Sequence, residues 1–259
     1  MSVATLLEPI TGKNGPVILH NASEWMQGRT LYGGASALIA YTMAQRAYPD
    51  LPPLRAAQIG FVAPISEDVE LTATIERQGR NVTQLRSEIH CGGKLALTAF
   101  FLFGTARDPN AVHRPDPPTD WPGGPEDWDE VNVQRSPSFL SGNYEMRRAQ
   151  KERGPGAPVV RRWFRLKQHD KFDPMSALIL QGDTLPPGAM RAMRRQGPIS
   201  SINWSFNVLD SEPNTRDGWW LGETRSEHAD LGYSSERLSM WNTEGRLVVS
   251  GLQSVAIFG

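Results

Sequence analysis

The chain has 259 residues, with 27 Lys and Arg against 28 Asp and Glu and a formal net charge of −1. That length suits one large domain or two of ordinary size, and the balanced charge excludes the strong basic excess of a nucleic-acid-binding protein. One cysteine, Cys91, excludes a disulfide framework and a thiolate metal site. No run reaches the roughly 18 apolar residues of a membrane span. The first residues, MSVATLLEPITGKNG, lack the charged start and apolar core of a signal peptide. A cytoplasmic protein is the expectation.

Taken in chain order, the first long element is GGASALIAYTMAQRAY (33–48), with helical spacing of apolar residues after a Gly-Gly opening. LRAAQIGFVAP, DVELTATIERQG, NVTQLRSEIHCGG and KLALTAFFLFGTA follow, each of strand length with β-type alternation and glycine-bearing turns between them. RDPNAVHRPDPPTDWPGGPEDWDE (107–130) is too rich in Pro, Gly and acid for regular structure and reads as a linker. NYEMRRAQKERGPG (143–156) continues it with a basic cluster. The order of elements then recurs. Asp173-Pro174 starts a second helix, with Asp as N-cap and Pro in the first turn. SINWSFNVL, GWWLGETRSEH, LGYSSERLSMWN and RLVVSGLQSVAIF follow as strands, with Thr243–Gly245 a hairpin turn. The expected division is 1–107, 108–157 and 158–259: repeat, linker, repeat. One helix followed by an antiparallel sheet, twice over, is an α+β plan.

Two short matches support a duplication. SALIAYTM (36–43) lies over SALILQGD (176–183), and GKLALTAFF (93–101) over GRLVVSGLQ (245–253). Most differences exchange one apolar residue for another. Two do not: Asp183 stands where the first copy has Met43, and Gln253 where it has Phe101. Polar groups in core positions cost several kcal/mol when unpartnered, so each needs a hydrogen-bond partner, and the two can serve each other. The plainer reading ends the helix at a solvent-facing Asp183 and puts Gln253 on the exposed face of an edge strand.

In these features the chain resembles the type II acyl-CoA thioesterases, which are double hotdog proteins. GRTLYGGASALIAYTMAQRAYP looks like the family's glycine-glycine opening of the first hotdog helix. GFVAP looks like its aromatic strand ending in Pro, and ERQGRNVTQLRSEIHCGGKLALTAFFLF like its long hairpin. WFRLKQHDKFDPMSALILQGDTLPP resembles the Trp-x-Arg strand and the helix bearing the family's Asp. GRLVVSGLQSVAIF is similar to the closing strand that carries its Gln. The likeness spans nearly the whole chain outside the linker. It implies a water-activating Asp, Ser or Thr, and Gln, which fall on Asp183, Ser201 (with Ser200 as rival, in PISSINWSF) and Gln253. Serine in place of the family's usual threonine keeps the hydroxyl but loses the methyl that stiffens it.

The implied activity is hydrolysis of an acyl-CoA, with no metal and no cofactor. Asp183 is expected as general base, with Gln253 and Ser201 holding the water or the thioester carbonyl. Backbone N–H groups at Gly33 and Gly34 are candidates for the oxyanion, although a tight turn with close packing explains those glycines too. Arg147, Arg148, Lys151 and Arg153 are candidates for the CoA phosphates, against ordinary solvated surface. Trp204, Trp219, Trp220 and Trp241 either line an acyl tunnel or belong to the core. Histidines 20, 90, 113, 169 and 228 have no metal-ligand spacing, and Cys91 has no nearby base. A non-hydrolytic acyl-CoA-binding protein and a hotdog hydratase, which would want a histidine soon after Asp183, are the alternatives. A homo-oligomer is possible; nucleic acid and membrane are not expected as partners.

Overall fold

A computed structural model describes residues 3–169 and 172–258. The Asp170–Lys171 part of the segment leading into the second helix lies outside the described residues. The elements run α1 (Val3–Leu7), β1 (Gly15–Ile18), β2 (Met26–Gln27), β3 (Thr30–Leu31), α2 (Gly33–Ala47), β4 (Leu54–Phe61), β5 (Asp68–Gln78), β6 (Val82–Cys91) and β7 (Lys94–Gly104). After these come α3 (Ser138–Asn143), β8 (Tyr144–Arg148), β9 (Val159–Leu166), α4 (Pro174–Gln181), β10 (Ile199–Val208), β11 (Trp220–Asp230), β12 (Tyr233–Trp241) and β13 (Leu247–Ile257). Among the described residues no helix is long and apolar enough to cross a membrane.

Among the described residues eleven strands form one antiparallel sheet in the order β1-β5-β6-β7-β4-β10-β13-β12-β11-β9-β8. Read outward from its centre, β4-β7-β6-β5 on one side answers β10-β13-β12-β11 on the other. The duplicated halves are therefore related about the β4–β10 junction, where Trp204 pairs with Ile59 and Phe206 with Ala57. Each half-sheet wraps one helix, which makes this a double hotdog. Both helices are apolar on nearly every face because each is enclosed: positions 34–44 of α2 and 176–181 of α4 are buried. Asp173 caps α4 by accepting from the Ser176 N–H at 2.9 Å, with Pro174 in the first turn. Gly245, at φ 83°, makes the turn between β12 and β13.

Two sequence expectations and one rival reading need correction. Asp183 is not in a helix, because α4 stops at Gln181 and the chain turns through Gly182. Pro186 and Pro187 follow, and a residue before proline is biased away from helical backbone. Tyr144–Arg148, read as linker, is an edge strand paired with β9 through Tyr144 opposite Leu166 and Arg148 opposite Arg162. Its apolar Tyr144 and Met146 are buried at alternate positions, a pattern too short to stand out beside the basic run. Gln253 does not lie on an edge, since β13 sits between β10 and β12.

A second small core lies under the linker, where Trp163, Trp219, Leu221 and Trp241 pack with Trp121 and Trp128. The adjoining linker is held by Asp120, which accepts from Arg161 Nη1 at 3.0 Å. Arg161 also reaches Glu223 on β11. A guanidinium and a carboxylate this deep are tolerated because each completes the other's hydrogen bonds.

The halves meet most closely where α2 begins. A methyl on Gly34 would overlap the Leu180 carbonyl oxygen at the end of α4. Tyr32, just before α2, donates to that same carbonyl at 2.6 Å, and its own oxygen accepts from Tyr144 at 2.8 Å. Burial pushes both phenols up, so they stay protonated. Gly34→Ala is expected to cost about 2 kcal/mol through overpacking against fixed backbone. Thermal unfolding should report this as a Tm lower by roughly 4–8 °C.

Candidate active site

Three side chains from the second repeat converge beside the start of α2. Gln253 is 3% exposed on the inner face of β13. Its Nε2 donates to Asp183 Oδ1 at 2.8 Å and to Ser201 Oγ at 2.9 Å. A carboxylate can only accept, so it fixes which end of the amide faces it, and both amide hydrogens are then used. Ser201 Oγ, already an acceptor, has its own O–H proton to offer elsewhere.

Ser201 reaches this spot by a backbone irregularity. Along β10, Trp204, Phe206 and Val208 face the core at even positions, so simple alternation would turn Ser200 inward. The pairing with β13 slips by one residue between Ser201 and Asn203: Trp204 lies opposite Gln253, but Ser201 lies opposite Val255. Ile202 is the extra residue of a β-bulge, which re-aims Ser201 to the face that carries Gln253. Ser200 is exposed at the rim of the same cleft.

Asp183 is packed round by protein, with part of its surface open to the cleft. Burial raises its pKa from 3.8 to about 7, and the hydrogen bond from Gln253 works in the opposite direction. A methyl on Gly33 would overlap Asp183 Oδ2 and crowd the Phe61 ring. Glycine is what lets the amino end of α2 touch this carboxyl. The helix dipole there also favours the ionised form, against the desolvation.

These groups open onto a cleft of about 560 Å³. Its apolar wall includes Leu31, Phe61, Ile65, Phe139, Leu185 and Met190, with Gly33, Asp183, Ser201 and Gln253 at its polar end. This proportion of apolar wall to a few convergent polar groups is that of a small-molecule site. Gly34 is not on the cleft; its place is the close approach to Leu180.

The segment after Asp183 forms one wall and is anchored from behind. Glu236 on β12 is fully buried and accepts from the Gly188 N–H at 2.8 Å and the Ala189 N–H at 3.4 Å. Thr224 donates to the Pro186 carbonyl at 2.6 Å. Sequence reading missed Glu236, Thr224, Tyr32 and Tyr144. Only Tyr32 carried a signal, as the residue directly before the two glycines.

None of Trp204, Trp219, Trp220 or Trp241 lines the cleft. Trp204 stacks on Phe206 at 4.3 Å, and Trp219 and Trp241 belong to the core under the linker. Among the described residues no histidine lines the cleft and no group of His, Cys, Asp or Glu has metal-site geometry. Arg147 turns to the outer face of β8, over the Trp219 ring and 3.8 Å from Glu130, while Arg153 faces Asp129 at 3.8 Å.

Residues 21–104 match the model of the acyl-CoA thioesterase N-terminal domain and residues 109–257 that of the C-terminal domain. The chain belongs to the acyl-CoA thioesterase family. It is a thioester hydrolase. Similar solved structures include an acyl-CoA thioesterase II, TesB2, from Mycobacterium marinum, at 15% identity over 98% of this chain and 97% of that one, TM-score 0.75. A tesB protein of Mycobacterium avium subspecies paratuberculosis shares 18% identity over 99% and 98%, TM-score 0.77. At such identities these two show the shared fold. The dehydratase domain of RzxB from Pseudomonas fluorescens is more distant, with 11% identity over 93% of each chain and a TM-score of 0.59. No curated protein gives a significant sequence match.

The raised pKa of Asp183 has a signed consequence for stability. The folded state holds this proton more tightly than the unfolded chain, so the contribution is complete below pH 3.8 and is lost as pH rises through about 7. Asp183→Asn cannot ionise. Its Tm relative to the wild type should therefore rise between about pH 4 and pH 7 and level off above that, as followed by calorimetry in matched buffers.

Proposed function

We propose that this thioesterase hydrolyses an acyl-CoA to the free acid and CoA through a water activated by Asp183, with Gln253 and Ser201 completing the site. The observation that carries the proposal is the Gln253 amide bonded to both Asp183 and Ser201 at the polar end of an apolar cleft. Attack by water on a thioester needs a base for the water's proton and donors for the carbonyl oxygen as it becomes negative. A carboxyl titrating near 7 is ionised in about half the molecules at neutral pH and far more basic than one on the surface.

The roles divide by what each group has left to give. Gln253 holds Asp183 Oδ1, so Oδ2, next to Gly33, is the oxygen available to a water. Ser201 can donate its hydroxyl proton to that water or to the carbonyl. The N–H at the start of α2, in a backbone with no side-chain cap, is the candidate for the oxyanion. Of the two glycines named from sequence, Gly33 is our choice, because it borders the cleft and Gly34 does not. The wall from Leu31 to Met190 takes the acyl chain.

The test is release of CoA from a panel of acyl-CoAs. Asp183→Asn is expected to lower kcat by about 10²–10⁴-fold, the usual weight of a general base. Wild-type kcat/KM should rise with pH and level off above about pH 7, and Ser201→Ala should lose less than Asp183→Asn. A variant at position 183 as fast as the wild type would end the assignment.

A further inference from the structure

The cleft described above accounts for an acyl chain and a thioester, but not for the phosphates at the other end of CoA. Residues 191–198, RAMRRQGP, join Met190 to Ile199, and both of those line the cleft. The segment therefore leaves the edge of the cleft and rejoins it, while its own residues lie off the lining. It carries Arg191, Arg194 and Arg195 and no acid, in a chain whose overall charge is −1.

Arg194 and Arg195 are exposed, and among the described residues neither has a carboxylate within ion-pair distance. Ordinary surface mixes both signs of charge; this rim does not. The segment is also held in place. Its Gln196 side chain donates to the Met190 carbonyl at 3.0 Å, and the Pro198 carbonyl accepts from Phe258 at 3.0 Å.

Behind the rim the positive charge deepens. Arg191 donates through Nε to the Gly154 carbonyl at 2.9 Å and through Nη1 to the Val159 carbonyl at 2.8 Å. Its Nη2 is buried with no partner. Arg162 lies opposite Arg148 across the β8–β9 pair, where like charges repel. Burial first, then Arg148 and Arg191, lower the Arg162 pKa to about 10. None of these three arginines has an ion-pair partner among the described residues, and Glu152 is the one acid between Ala149 and Ala157 in the connecting hairpin.

We infer that the arginine rim at 191–198, backed by Arg148 and Arg162, binds the phosphate groups of CoA. Arg194 and Arg195 make the contacts, and the three arginines behind them supply the attracting field. Guanidinium suits this task because its planar fork matches phosphate oxygens two at a time. The inference rests on the thioesterase reading for the identity of the ligand. Of the four sequence candidates Arg147, Arg148, Lys151 and Arg153, Arg147 and Arg153 face the carboxylates of Glu130 and Asp129, and Arg148 stays as part of the backing charge.

The test compares one acyl group carried by CoA and by N-acetylcysteamine, whose thioester lacks the phosphates. In R194E/R195E the ratio of kcat/KM for the CoA thioester to that for the N-acetylcysteamine thioester should fall about tenfold or more. The wild-type ratio should fall with added salt. R77E/R80E, a double charge reversal at two exposed arginines of the other repeat, should leave the ratio as it is and controls for net charge. An unchanged ratio in R194E/R195E overturns the inference. So does a loss confined to acyl groups carried on an acidic carrier protein, which would make the rim a protein-docking face. Should the wild type hydrolyse neither thioester, CoA binding by calorimetry still decides: weakened binding in R194E/R195E supports the rim, and equal binding overturns it.

Discussion

The molecule turns on one constraint: the amino end of α2 presses against the carboxyl end of α4 with no side chain between them. Gly34 meets the Leu180 carbonyl and Gly33 meets the Asp183 carboxyl. From that abutment follow the burial of Asp183, the tyrosine pair that satisfies Leu180, and the cleft along the seam. A carboxylate there would be intolerable without partners, and Gln253 supplies one. The two repeats therefore do different work. The first lends a helix terminus and part of the apolar wall, and the second lends the polar groups and, with Phe139, the rest of the wall.

The supporting layer explains how a half-buried acid is kept in one place. Asp183 lies in a turn, and turns are softer than helices. This one is fixed on both sides: Tyr32 grips the carbonyl three residues before Asp183, and Glu236 grips two amides a few residues after it. The buried carboxylate of Glu236 stands in for the cap that the short helical turn at Gly188–Arg191 would otherwise lack. Chemistry that depends on sub-ångström placement needs such a shell.

Much of this was legible in the residues because the relevant signals are local. Alternation gave the four long strands of each repeat, Asp173-Pro174 gave the start of α4, and Gly245 marked its hairpin. Laying one repeat on the other exposed Asp183 and Gln253, since Met43 and Phe101 are both fully buried and a polar substitute in either place demands an explanation. What stayed hidden depends on register or on distance along the chain. Alternation alone turns Ser200 inward, and only the bulge at Ile202 turns Ser201 there instead. Tyr144 meets Tyr32 across more than a hundred residues, and nothing near either one announces it. The tryptophans offered a tunnel as well as the more ordinary core; their packing under the linker and against Phe206 decided for core.

In the proposed reaction Asp183 acts on a water and does not itself attack the thioester. A single turnover in oxygen-18 water, with enzyme in excess over acyl-CoA and hydroxylamine present in a parallel run to trap an anhydride at residue 183, separates the two. Base catalysis puts the heavy oxygen in the released acid on the first turnover and leaves the protein unlabelled. Unlabelled acid from that turnover, with oxygen-18 in the peptide containing residue 183, would mean a covalent anhydride and would contradict the account.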